Sequence, residues 1–117
     1  MLNLNHKNLD VWKISIELIS YIYQLTEKFP KSEIFGISNQ LRRAAVSITS
    51  NIAEGAAKKS KIERKRYFET SRASLVEIDT QLEICLKIKY ITISDIPIID
   101  EKMNHLFAKM TKLILNT

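Results

Sequence analysis

The sequence predicts an all-α protein: an antiparallel, up-and-down four-helix bundle that forms one domain over residues 1–117. Glycine and proline occur only twice each, whereas sandwiches and barrels need turn residues about every 8–12 positions. Apolar residues instead recur at steps of three and four, the period of a helix that is buried on one side. The segments between these stretches are short, and short loops make neighbouring helices antiparallel.

The helices are expected at about residues 9–29, 37–56, 61–89 and 95–115. In the first helix Asn8 is the expected N-cap. Pro30 ends that helix, because the residue before a proline avoids the α conformation. The second helix has an apolar stripe that begins at Ile37. Near its end, Gly55 is either the C-terminal cap or a point of close packing.

The third helix begins with a capping box formed by Ser60 and Glu63, in which each side chain satisfies a backbone amide of the other residue. In the fourth helix Ser94 is the expected cap, and Pro97 is tolerated in the first turn because its missing amide would be unpaired anyway. Both helices have a seam of residues that step by three and four, as in a coiled coil. The seams are Phe68, Ser71, Leu75, Ile78, Leu82 and Cys85, then Ile99, Met103, Leu106, Met110 and Leu113.

The composition argues against several classes of protein. The longest apolar runs have three residues, whereas a membrane helix needs about 18. Cys85 is the only cysteine, so no intrachain disulfide or cysteine cluster can form. Lys102 precedes His105 by three residues, so the Glu-x-x-His pattern of di-iron bundles is missing, and there is no glycine-rich phosphate loop. We therefore expect a cytoplasmic protein with no membrane segment, no metal and no cofactor, which is not an enzyme.

A second, polar face is expected on helices two and three, away from their apolar stripes. Arg43 and Glu54 are about 16 Å apart along a straight helix, so they cannot pair with each other, and Glu77 is a candidate partner for Arg43. This face is either a subunit interface of a homo-oligomer or a solvated surface. Its residues are Arg43, Ser47, Ser50, Asn51, Glu54, Ser74, Glu77 and Gln81.

The positive charge is concentrated near the junction of helices two and three. Residues 40–72 hold nine basic and three acidic residues, whereas the rest of the chain holds nine basic and ten acidic ones. Clustered cations are what phosphate binding requires, which predicts RNA or DNA binding without strong sequence preference. The alternatives are a charge run that solvates a loop, and a scaffold that docks an acidic partner protein. The predicted binding residues are Arg42, Lys58, Lys59, Lys61, Arg64, Lys65, Arg66 and Arg72.

The second helix contains the run LRRAAVSITSNIAEG (Leu41–Gly55), which resembles the signature of the 23S rRNA intervening-sequence protein family. These bacterial proteins are also called four-helix-bundle or S23 proteins. Further matching segments are Leu9–Lys13, Lys28–Gly36, Ser74–Ile78 and Thr80–Leu82, so the resemblance spans about residues 8–115. Thr49 stands where the family usually has proline.

This resemblance implies a four-helix bundle encoded within rRNA-gene intervening sequences or elsewhere in bacterial genomes. The family is similar to the accessory variability determinant of diversity-generating retroelements, a basic homopentamer that binds nucleic acid and a reverse transcriptase. The implied partners are therefore further copies of the chain, with a pentamer favoured, nucleic acid, and a reverse transcriptase or another protein.

Overall fold

A computed structural model describes all 117 residues of the chain and confirms the all-α four-helix bundle. The molecule measures 43 × 27 × 20 Å. Short 3₁₀ turns at Asn5–Asn8, Lys31–Glu33 and Ile93–Asp95 precede three of the helices. The helices are α1 (Asp10–Glu27), α2 (Ile37–Ala57), α3 (Lys61–Lys87) and α4 (Pro97–Leu115).

One core of 22 buried apolar residues is shared by the four helices. At its centre Leu18, Ile48, Ile78 and Leu106, one from each helix, are fully buried. All six residues of the predicted α3 seam are buried. The α4 seam is confirmed as far as Met110, but its last buried residue is Ile114. The predicted Leu113 is only partly buried, because a period of 3.6 residues drifts from a strict alternation of three and four.

Two predicted caps are wrong. Asn8 lies in the 3₁₀ turn, and Leu9 precedes α1 without a side-chain cap. Ser94 shares a hydrogen bond with the Thr92 hydroxyl (2.7 Å), within a turn that comes before α4. In that turn the Thr92 amide donates to the Asp95 carboxylate at 2.9 Å, and this bond keeps the pKa of Asp95 below its ordinary value. Local turn geometry therefore decides where α4 begins.

The predicted start of α3 is confirmed at its N-cap. The Glu63 amide donates to the Ser60 hydroxyl at 3.3 Å, which forms one half of the capping box. The helix ends at Lys87, slightly earlier than expected. Lys89 then adopts a left-handed conformation (φ 65°), and the Tyr90 amide donates to the Cys85 carbonyl at 2.9 Å. Such a turn satisfies carbonyls that a helix end leaves unpaired.

The antiparallel pair α2 and α3 packs closely through small residues. A Cβ atom on Gly55 would lie 2.8 Å from the Tyr67 Cβ and 2.9 Å from the Phe68 ring. Gly55 is buried inside α2, so close packing is the correct one of its two interpretations. Farther along the pair, the Ser71 hydroxyl donates to the Ile48 carbonyl at 2.8 Å. These contacts fix the distance between the two helices.

Candidate nucleic-acid interface

The turn between α2 and α3 brings six of the eight predicted binding residues together. Lys58 directly follows α2, Ser60 caps α3, and all six lie within nine consecutive residues. Beside this turn, Gly55 lets α2 and α3 approach each other closely. We call this cluster the basic corner; its members are Lys58, Lys59, Lys61, Arg64, Lys65 and Arg66.

Arg42 lies outside the basic corner. Its guanidinium donates to the Thr26 hydroxyl at 2.8 Å, lies 3.7 Å from the Glu27 carboxylate and stacks 4.6 Å over the Tyr23 ring. These contacts join α2 to α1. Sixteen residues separate Arg42 from Lys58, which is about 24 Å along a helix.

Arg72 is also separated from the corner. It donates to the Thr111 hydroxyl at 3.2 Å and lies 5.8 Å over the Phe107 ring, so it joins α3 to α4. The positions of positive charges in the sequence do not show which arginines contact a neighbouring helix. The engagement of Arg42 and Arg72 could therefore not be predicted from the charge pattern.

Arg64 belongs to the basic corner, and its side chain also stabilises the turn between α2 and α3. Its guanidinium donates to the carbonyls of Lys58 and Lys59 at 3.0 and 3.1 Å. These carbonyls follow the end of α2, where the backbone has no helical partners left. Arg64 therefore holds the turn in shape while adding to its positive potential.

A polar groove of about 360 Å³ opens between α2 and α3 beside the basic corner. The Lys58 ammonium lies 5.2 Å over the Tyr67 ring, and the Thr70 hydroxyl donates to the Arg66 carbonyl at 3.0 Å. We call this feature the α2–α3 groove. It is lined by Asn51, Lys58, Glu63, Arg66, Tyr67 and Thr70.

Three residues of the α2–α3 groove were not predicted as site residues, and a fourth was placed elsewhere. The three are Glu63, Tyr67 and Thr70, and Asn51 was predicted on a subunit interface. The spacing of Glu63, Tyr67 and Thr70 by four and three was the available signal, because such residues share one side of a helix. The sequence alone did not show that this side meets α2 beside Lys58.

The cations of α3 are divided between two sides of the helix. Arg66 lines the α2–α3 groove. Lys61 and Lys65 are four residues apart, and Arg72 follows seven residues later, so the three share another side. Arg72 contacts α4, which identifies that side as the one nearest α4. The basic corner therefore has a groove side and an α4 side.

The N-terminal turn lies at the same end of the bundle. Leu4, His6 and Leu9 line a cavity of about 280 Å³ together with Ala56 and Ala57 at the end of α2. This places His6, and with it the neighbouring Lys7, near the basic corner. This placement was not predictable from the sequence, because the packing of a terminal turn leaves no periodic pattern.

The polar face of α2 and α3 is partly inside the chain. Ser74 and Gln81 were expected away from the apolar seam, but they are only 9% and 5% exposed. Ser74 shares a hydrogen bond of 3.1 Å with Ser47, because the small side chains of α2 let α3 come close. The expectation that these two α3 residues lie outside the packed interior is therefore corrected.

The remaining members of the polar face stay accessible. Arg43 and Glu77 line a second groove between α2 and α3, of about 370 Å³, which is distinct from the α2–α3 groove defined above. Neither residue takes part in the four ion pairs of the structure. The intrachain pairing considered for them is not formed. Ser50 and Glu54 are exposed as well.

The family model of the 23S rRNA-intervening sequence protein matches residues 7–112. The chain belongs to this family. It is also similar to a crystal structure from Bacteroides thetaiotaomicron, described as a protein with unknown function from the S23 ribosomal protein family. The two chains are 22% identical, the match covers 89% of this chain and 97% of that chain, and the TM-score is 0.81. No curated protein matches the sequence.

The description of the intervening-sequence protein family names no catalytic activity. In this member no group of three or more histidine, cysteine or acidic side chains is placed to hold a metal ion. Burial, helped by the Glu33 charge, raises the pKa of the Cys85 thiol to about 11, so this thiol is a poor nucleophile. None of the four helices combines the length and the apolar character that a membrane-spanning segment requires.

Proposed function

We propose that the protein is a non-catalytic, homo-oligomeric bundle that binds RNA or DNA through its basic corner and acts in the cytoplasm. One observation carries this proposal. None of the six cations of the corner takes part in the four ion pairs of the structure. Each side chain that is not otherwise engaged can therefore meet a phosphate without first breaking an internal ion pair.

The proposal specifies how binding depends on salt. Each cation that neutralises a phosphate releases condensed counterions, so the logarithm of the affinity falls by about 0.7–0.9 per contact for each tenfold rise in salt. The corner presents several cations but no ordered set of base-reading side chains. Affinity without strong sequence preference follows, because phosphate contacts carry no sequence information.

Binding of a labelled 20-nucleotide RNA and DNA, followed by fluorescence anisotropy at several salt concentrations, tests this proposal. Changing Lys58, Lys61, Lys65 and Arg66 to Glu should abolish binding. The matched control changes four exposed lysines at the other end of the bundle to Glu and should retain most of the affinity. These are Lys28, Lys31, Lys87 and Lys89. Absent or salt-insensitive binding by the unchanged protein would refute the nucleic-acid function.

The homo-oligomer is supported by the exposed part of the polar face. Arg43, Glu54 and Glu77 form no ion pair within the chain, and Val46 on the same helix is 41% exposed. A second copy can supply the missing partners. The pentamer rests on the family's similarity to the accessory variability determinant, as does a reverse transcriptase as further partner.

Light scattering after size exclusion measures the oligomer directly. A pentamer has five times the 13.5 kDa mass of the chain, and Arg43→Glu should lower the observed mass because it places like charges at the interface. A monomer at micromolar concentration contradicts this part of the proposal and leaves nucleic-acid binding standing.

The second candidate function is a scaffold that docks an acidic partner protein, which the same free cations favour. It is distinguished by nuclease treatment. A partner protein that remains bound after complete digestion of RNA and DNA supports the scaffold, whereas release on digestion supports nucleic-acid binding.

A further inference from the structure

We propose that the α2–α3 groove binds a ribonucleotide unit of an RNA strand and prefers RNA to DNA. This inference rests on the proposed nucleic-acid function and makes it more specific. The basic corner as a whole attracts any polyanion, but the α2–α3 groove combines cations with hydrogen-bond acceptors. That combination matches a group that contains both a phosphate and a hydroxyl.

The cationic part of the α2–α3 groove consists of Lys58 and Arg66. Both side chains line the groove, and neither forms an ion pair. Lys58 lies over the Tyr67 ring, which keeps its ammonium at the groove wall. A guanidinium can bind a phosphate with two parallel hydrogen bonds, while an ammonium acts as a point charge. Together they can hold one backbone phosphate.

The acceptors of the α2–α3 groove come from Asn51 and Glu63. The Asn51 amide nitrogen donates to the Ser47 carbonyl at 2.8 Å and to the Ser47 hydroxyl at 3.0 Å. This orientation leaves the amide oxygen of Asn51 as an acceptor. The Glu63 carboxylate has no cationic partner within 4 Å and can only accept when ionised.

These acceptors favour RNA because of the ribose hydroxyl. The 2′-hydroxyl can donate a hydrogen bond, and it is the group by which a protein distinguishes RNA from DNA at a given site. Beside the two cations, a carboxylate also repels a second phosphate and so favours a sugar at its position. Deoxyribose has no donor there and leaves the acceptor to water.

The α2–α3 groove is held in shape before any ligand binds. Ser60 caps α3, Arg64 bonds to the carbonyls of the turn, and Gly55 fixes the approach of Tyr67. Ser47, which orients Asn51, is itself hydrogen bonded to Ser74. A site ordered in this way loses little conformational entropy on binding.

The test compares single-stranded RNA, DNA and 2′-O-methyl RNA of one sequence by fluorescence anisotropy. The unchanged protein should bind RNA about tenfold more tightly than DNA, the size of effect that one net hydrogen bond supplies. The 2′-O-methyl strand should resemble DNA, because methylation removes the donor. Asn51→Ala combined with Glu63→Ala should bring the ratio of RNA affinity to DNA affinity close to one, because it removes both acceptors of the ribose hydroxyl.

A matched pair of variants separates the α2–α3 groove from general charge. The first double variant, Lys58→Gln with Arg66→Gln, removes two cations from the groove side. The second, Lys61→Gln with Lys65→Gln, removes two cations from the α4 side. We expect the first pair to reduce RNA affinity at least tenfold more than the second. Equal losses of RNA affinity in the two double variants overturn the groove inference but leave the proposed function intact. Equal affinities of the unchanged protein for RNA and DNA have the same consequence. Absence of all binding refutes the proposed function itself.

Discussion

On its α2 side, α3 packs through small residues beside the cationic α2–α3 groove, whereas on its α4 side it borders a groove that contains two aspartates. Gly55 approaches Phe68, and Ser71 bonds to the carbonyl of Ile48. On the α4 side Arg72 reaches across to Thr111. Next to it lies a groove of about 250 Å³, lined by Leu75, Val76, Asp79, Asp100, Met103, Asn104 and Phe107.

The two sides of α3 differ in the charge of the groove that each one borders. Close packing on the α2 side fixes the side chains of the α2–α3 groove, where Lys58 and Arg66 lie. The groove on the α4 side is lined by the carboxylates of Asp79 and Asp100, which disfavour phosphate. A polyanion that reaches α3 therefore meets cations in the α2–α3 groove, whereas on the α4 side the cations end at Arg72 and the two aspartates follow.

The largest effect that tests this comparison is expected from the core beneath the α2 side. Ile48→Ala should lower the free energy of unfolding by about 2–5 kcal/mol, because the fully buried side chain leaves a cavity. Val76→Ala, on the α4 side and 51% exposed, should cost less than about 1 kcal/mol. Urea unfolding at one fixed protein concentration measures both. Similar losses would show that the two sides are packed alike.

A medium effect is expected from Gly55→Ala. The added methyl group would lie 2.8–2.9 Å from Tyr67 and Phe68, so α2 and α3 must move apart, and such overpacking costs about 1–3 kcal/mol. The displacement should also weaken RNA binding, because Tyr67 lines the α2–α3 groove.

Gly36→Ala is the matched control for Gly55→Ala. There the new methyl group meets the carboxylate end of the Glu33 side chain. That carboxylate accepts a hydrogen bond from the Tyr90 hydroxyl at 2.6 Å, so its displacement should cost about 0.5–1.5 kcal/mol, less than the overpacking at Gly55. Equal destabilisation by the two substitutions would show that the close approach of α3 to Gly55 carries no special cost, since Ala is the better helix former.

The contrast between the two sides also explains how much the sequence could predict. Ile48 and Leu75 follow the apolar period, so their burial was predictable from spacing. Ser74 is buried because its partner Ser47 is small, and Arg42 is engaged because Thr26 lies opposite it. Both depend on the neighbouring helix, which local spacing does not contain.

The candidate site was predictable to a similar extent. The run from Lys58 to Arg66 identified the corner, because clustered charge is a local property. The division of its cations between a groove side and an α4 side required the position of α2 relative to α3. Tyr67 is uncharged, so the charge pattern could not identify it as a site residue. Only the position of α2 relative to α3 shows that it lines the groove.

The smallest expected effect compares two neighbouring residues that face different sides of α3. Ser71→Ala removes a buried hydrogen bond to the Ile48 carbonyl and should cost about 0.5–1.5 kcal/mol. Arg72→Met keeps an apolar stem over Phe107 while losing the bond to Thr111 and the cation–π contact. We expect it to cost less than Ser71→Ala, because Arg72 is only partly buried and water can replace what it loses. If urea unfolding gives the reverse order at unchanged m-value, the contacts of Arg72 with α4 stabilise the bundle more than the buried hydrogen bond of Ser71 does. The α4 side of α3 would then contribute more to the free energy of unfolding than the α2 side at this point of the helix.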